Sequence, residues 1–86
     1  MPRLRAEDLV YQESDGETVL LDLQTSTYLV MNPTGTLLLP ALAEGATREA
    51  LLEKIVSAFE VDPDRATSDL DSFLSDLAGR GLLDQA

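Results

Sequence analysis

Apolar residues in the first third of the chain recur at period two, and further on they recur at the three-and-four spacing of a helix. Leu9-Val10-Tyr11-Gln12 reads as a short strand closed by the turn cluster Glu13-Ser14-Asp15-Gly16. Residues 18–23 form a stronger one, rich in leucine and β-branched side chains, with Val19, Leu21 and Leu23 on one face. Gln24-Thr25-Ser26 turns the chain into residues 27–31, where Tyr28 and Val30 point opposite to Leu29 and Met31. Three such segments predict a hairpin or a three-stranded antiparallel meander. Residues 1–8 show no period, which leaves them as a loose arm or as part of the first strand.

Asn32 followed by Pro33 then starts a helix, because asparagine can cap and proline at the first position gives up no hydrogen bond. Its inward residues are Leu37, Leu38, Ala41 and Leu42, and Gly45 ends it. Pro40 removes an amide donor and crowds the carbonyl of Thr36, so this helix is expected to kink or split. Thr47 caps a second helix with the apolar face Leu51, Leu52, Ile55, Val56 and Phe59. Asp62-Pro63-Asp64 repeats the capping device for a third, running to about Gly79 with Ala66, Leu70, Phe73, Leu74 and Leu77 as one stripe. Gly81 stops the helix, and Leu82 and Leu83 return to the core. The expectation is one α+β domain over residues 1–86, a small sheet followed by three helices.

Composition narrows what such a domain can do. At 86 residues with no cysteine and no histidine, stability must come from the apolar core, without disulfides or the commonest soft metal ligands. Serine and threonine lack a histidine base, and Lys54, the single lysine, falls on an amphipathic helix. The five glycines are dispersed, so there is no phosphate-cradling loop. Asp62, Asp64, Asp69, Asp71 and Asp76 lack the spacing of a calcium loop. A catalytic site, a cofactor and a metal are therefore not expected. The N-terminal MPRLRAEDLV has no apolar stretch of the signal-peptide kind and no run reaches membrane-span length, so a cytoplasmic protein is expected.

Sixteen acidic residues against six basic ones give a formal charge of −10, which repels nucleic acid and steers a basic peptide inward. The edge of strand 27–31 can accept an extended peptide as a further strand. On the third helix, Asp69, Phe73, Asp76 and Arg80 lie along one border of the buried stripe. Edge and border together would form a groove with a backbone ladder, an aromatic floor and an acidic rim, suited to a segment with apolar anchors and some positive charge. Plainer roles stand beside these: strand aromatic for Tyr28, core for Met31 and Phe73, solvated helix face for Asp69 and Asp76. A winged-helix transcription factor would need a basic recognition helix, which the acidic third helix does not supply. An adaptor for a folded protein remains an alternative, and the same edge could pair two copies into a homodimer.

The ordered set LLDLQTSTYLVMNPTG, LAEG, TREALLEKIVSAFEVDP and DLDSFLSDLAGRGLL, over about residues 8–84, resembles the family of pyrroloquinoline-quinone biosynthesis protein D and the related RiPP recognition elements. It is most similar to the stand-alone leader-binding proteins of lasso-peptide biosynthesis. Asp22-Leu23-Gln24-Thr25 stands where the quinone branch often has a proline-containing turn, and Pro40 departs from the bulkier residue of the first helix. The resemblance implies a winged-helix-like fold that binds the leader of a ribosomally made precursor peptide without catalysis. It also implies a leader peptidase and an ATP-dependent macrocyclase as partners. The leader would add to Tyr28, Leu29, Val30 and Met31 and pack on Asp69, Phe73, Asp76 and Leu77. A peptide chaperone of the quinone pathway is the neighbouring alternative.

Overall fold

The structure is a computed structural model that describes residues 2–5 and 7–85. Strands β2 (Leu9–Ser14) and β3 (Glu17–Asp22) meet at Asp15-Gly16, whose φ angles of 53° and 79° give the doubly left-handed two-residue turn that matches strand twist. A four-residue loop leads from β3 to β4 (Thr27–Met31), with Asp22 opposite Thr27 and Thr18 opposite Met31. The antiparallel order is β2-β3-β4, so β3 is central and β4 is an edge.

Helix α1 (Pro33–Glu44) begins where β4 ends, and the Asn32 side chain accepts a 2.8 Å hydrogen bond from the Gly35 amide. Thr47 caps α2 (Arg48–Phe59) through the Ala50 amide, and Asp62 caps α3 (Pro63–Gly79) through the Asp64 amide. The helices pack in sequence, α1 on α2 and α2 on α3, with α1 also meeting β3 and β4. Between helices and sheet lies a core of Leu20, Met31, Leu38, Leu39, Leu42, Leu51, Ile55, Ala66, Leu70, Leu77 and Leu82. Full burial of each leucine contributes roughly 2 kcal/mol of transfer free energy. Among the described residues no helix is long and apolar enough to cross a membrane.

Four details differ from the sequence expectations. Residues 2–5 are neither a loose arm nor part of the first sheet strand: β1 (Pro2–Leu4) pairs antiparallel with β5 (Leu83–Gln85) in a separate two-stranded sheet against α1. The strand β3 ends at Asp22, and its buried face is Thr18, Leu20 and Asp22. Val19 and Leu21, with Leu23 just beyond, do share a face, but it is the exposed one. Helix α1 is not split at Pro40, which sits on its solvent side where the missing donor is tolerated; Leu39 faces inward there, while Leu37 and Ala41 are half-buried.

Candidate functional site

A strand that pairs on one side only leaves every second N–H and C=O unpaired along the other, and β4 is such a strand. Two depressions lie along it. One, of about 270 Å³, sits by the start of β4 between Leu20, Thr27, Leu29, Arg80 and Leu82, with Asp22 at its margin. The second, of about 350 Å³, sits past the end of β4 among Asn32, Thr34, Asp69, Ser72, Phe73 and Asp76. Arg80 belongs to the first and Asp76 to the second, and the Arg80 Nε donates to both carboxylate oxygens of Asp76 at 3.2 Å. The five residues of β4 extend roughly 17 Å at strand rise, and α3 from Asp69 to Arg80 covers about the same length at helical rise. An extended segment of about five residues therefore fits alongside both.

The first depression is apolar at its base and the second is acidic. Asp69 and Asp76 are exposed carboxylates. Asp22 is buried, which by itself would raise its pKa, but the hydrogen bond from Arg5, the amide of Gln24, the charge of Arg5 and the Thr25 hydroxyl together hold its carboxyl below the usual range. The Arg5 Nη2 donates to Asp22 Oδ1 at 2.7 Å, and the Gln24 amide donates to the same oxygen at 3.0 Å.

The structure separates the eight sequence-predicted residues into three groups. Leu29 and Phe73 are half-buried, and with the exposed Asp69 and Asp76 they line the depressions. Tyr28 (72% exposed) and Val30 (52%) carry their side chains on the outer face of the sheet, with part of Tyr28 bordering the first depression. Met31 (6%) and Leu77 (0%) are core residues, which support the groove from beneath and offer no contact surface. Gly35 shows how tightly that support is built. A Cβ there would stand 2.8 Å from Met31 Sδ and 3.1 Å from Phe73 Cε1, so only glycine lets the first turn of α1 approach both.

Sequence reasoning did not assign Asn32, Thr34 or Ser72 to the site, nor Asp22. An aspartate in the middle of an apolar segment was the available signal for the last, since a charge there requires a partner. It also missed that the outer sheet face is an apolar surface: Val10, Val19, Leu21, Leu23, Tyr28 and Val30 are all exposed by more than a third.

Comparison with known proteins finds no match among curated proteins. Among solved structures the chain is similar to "TbiB1 in Complex with the TbiA(beta) Leader Peptide", at 32% identity and a TM-score of 0.87, covering 98% of this chain and 96% of that one. It is also similar to "Lasso peptide synthetase B1 complexed with the leader peptide", at 25% identity and a TM-score of 0.83, covering 98% of each. The family profile of "Coenzyme PQQ synthesis protein D (PqqD)" matches residues 17–83, from the start of β3 to just past the end of α3, and the chain belongs to the PqqD family.

Proposed function

We propose that this chain binds the leader region of a ribosomally made precursor peptide by adding it as a strand to β4, within lasso-peptide biosynthesis. The observation that carries the reading is that two solved relatives, alike over nearly the whole chain, are both complexes with leader peptides. The open edge and the two depressions beside it supply a place of fitting length. Main-chain bonds to β4 give affinity with little demand on sequence, while Leu29, Phe73 and the apolar depression select side chains. Asp69 and Asp76 favour a basic residue at the other end. The peptide-binding residues are thus Leu29, Asp69, Phe73 and Asp76 as contacts, Tyr28 and Val30 beside the outer-facing side chains of the added strand, and Met31 and Leu77 as the packing that holds them.

The chain itself breaks no bond. It delivers the leader to a leader peptidase and an ATP-dependent macrocyclase, raising the effective concentration of the attached core peptide at their active sites. The exposed apolar outer face is continuous with the β4 edge and offers such a folded partner a docking surface. A charge of −10 opposes the alternative of closing that face with a second copy.

The test is a fluorescence-anisotropy titration with leader peptides encoded beside the gene. Saturable binding at about micromolar Kd, near −8 kcal/mol, that is lost on scrambling the leader is expected. Strand addition further requires that single backbone N-methylation along the leader weakens binding at every second residue, because alternate amides face β4. Removing one ladder bond costs about 1 kcal/mol, or roughly fivefold in Kd. A flat N-methylation profile would rule out the strand, and no binding to any candidate leader would rule out the function.

A further inference from the structure

We infer that Arg5 is a positioning residue for the peptide groove: it ties together the two walls of the apolar depression and so presets the width into which a strand is added. The inference rests on the leader-binding reading above.

One wall of that depression is the sheet, from Leu20 and Asp22 to Leu29, and the other is formed by Arg80 and Leu82 at the end of α3. Arg5 touches both. Its backbone amide donates to the Leu82 carbonyl at 2.8 Å and its Nη1 donates to the Gly81 carbonyl at 2.9 Å, which fixes the chain leaving α3. Its Nη2 donates to Asp22 Oδ1 at 2.7 Å, at the last residue of β3 and directly opposite Thr27 of β4. A further bond from Nε to the Glu7 carbonyl, at 3.1 Å, orients the guanidinium. Among the described residues, the hydrogen bonds that join residues 80–82 to the three-stranded sheet all pass through this side chain.

The side chains of Asp22 and Arg5 are only 7% and 21% exposed, so the pair is shielded from solvent screening. Guanidinium geometry matters because one planar fork must reach a carboxylate and a carbonyl at once, which a lysine ammonium cannot do equally well. Arg5 meets no surface that an added strand would occupy, so its effect on binding acts through the spacing of the walls. A groove held at the competent width binds with its full affinity. One that holds that width a tenth of the time binds about tenfold more weakly.

The chain has no cysteine, so a pair of spin labels can be placed at Leu23→Cys and Ala78→Cys, exposed positions on the two walls that line neither depression. The interlabel distance distribution is measured with Arg5 and with Arg5→Met, and leader affinity is measured on the unlabelled proteins by anisotropy. The expected result is a narrow distribution that broadens or shifts in Arg5→Met, a Kd raised about tenfold, and partial recovery of both in Arg5→Lys. Should Arg5→Met lose its circular dichroism signature, Asp22→Asn, which keeps the acceptor and removes the charge, takes its place with the same two readouts. An unchanged distance distribution overturns the inference. A wild-type chain that binds leader no better than the variant overturns it too. A wild-type chain that binds no leader overturns the reading beneath it and the inference with it.

Discussion

Replacing Gly35 by alanine separates stability from binding. Position 35 is the third residue of α1, where alanine is favoured over glycine by up to about 1 kcal/mol. Against this stand three contacts of the new Cβ: 2.8 Å to Met31 Sδ, 3.1 Å to Met31 Cβ and 3.1 Å to Phe73 Cε1. The sulfur is the far part of a flexible side chain and yields easily. The Met31 Cβ is fixed by β4, whereas the Phe73 ring is half-buried and borders the 350 Å³ depression. Overpacking of this kind costs typically 1–3 kcal/mol, so the net loss of stability is about 1 kcal/mol, with the ring displaced toward the groove. Filling that space should raise leader Kd about fivefold while urea denaturation shows a protein still well folded. A Gly35→Ala variant with unchanged stability and unchanged affinity would refute the argument that this close approach sets the groove.

Other predictions follow from the same geometry. Phe73→Ala should weaken leader binding with modest loss of stability, whereas Leu77→Ala, at a fully buried position, should cost about 2–5 kcal/mol in urea unfolding. Equal effects of the two substitutions on stability would place Phe73 in the core and out of the groove. Asp69→Lys or Asp76→Lys should slow association with a basic leader, and stopped-flow rates should converge with wild type as salt rises. Because the folded Asp22 carboxyl titrates below its ordinary 3.8, the unfolded chain binds more protons in that window. The stability it contributes is therefore full above the ordinary value and lost as pH falls through the folded one; Asp22→Asn should flatten this acid limb of urea midpoints, and an unaltered limb would dismiss the ion pair as its source.

Local signals carried much of the fold. Asn32, Thr47 and Asp62 cap their helices as side-chain acceptors, and the β4 alternation of Tyr28 and Val30 against Leu29 and Met31 holds in the structure. What the sequence concealed depends on partners far along the chain. β1 and β5 are three residues each and pair across nearly the whole length, so neither has a pattern of its own. The inner face of β3 contains Thr18 and Asp22, and is less apolar than the outer face of Val19 and Leu21. Arg5, seventeen positions from Asp22, and the Gln24 amide partner the carboxylate that this face buries. At the site, the helix border of Asp69, Phe73 and Asp76 was readable from spacing, because helical geometry alone aligns it. The same spacing put Leu77 in the buried stripe, where the structure has it; only the family resemblance had added it to the peptide contacts.

The sheet has two open edges, and their surroundings differ in a way that bears on which one takes a peptide. Every residue of β2 except Leu9 is exposed, and the depression beside it, of about 230 Å³ among Leu4, Arg5, Leu9, Tyr11 and Ala43, is lined by a cation and no carboxylate. A strand added there would gain ladder bonds worth about 1 kcal/mol each and some burial beside Leu9 and Tyr11, against the similar cost of ordering each of its residues and with no acidic rim to draw a basic segment. Beside β4 the same bonds are joined by burial against the half-buried Leu29 and Phe73, at about 25 cal/mol for each Å² of apolar surface removed from water. The acidic residues around the second depression add attraction for a cation while repelling another copy of this acidic chain. On the proposed reading, the side chains that flank β4 are what let an extended peptide overcome its ordering cost at this edge, while the acidic rim opposes pairing of the bare edge with a second copy.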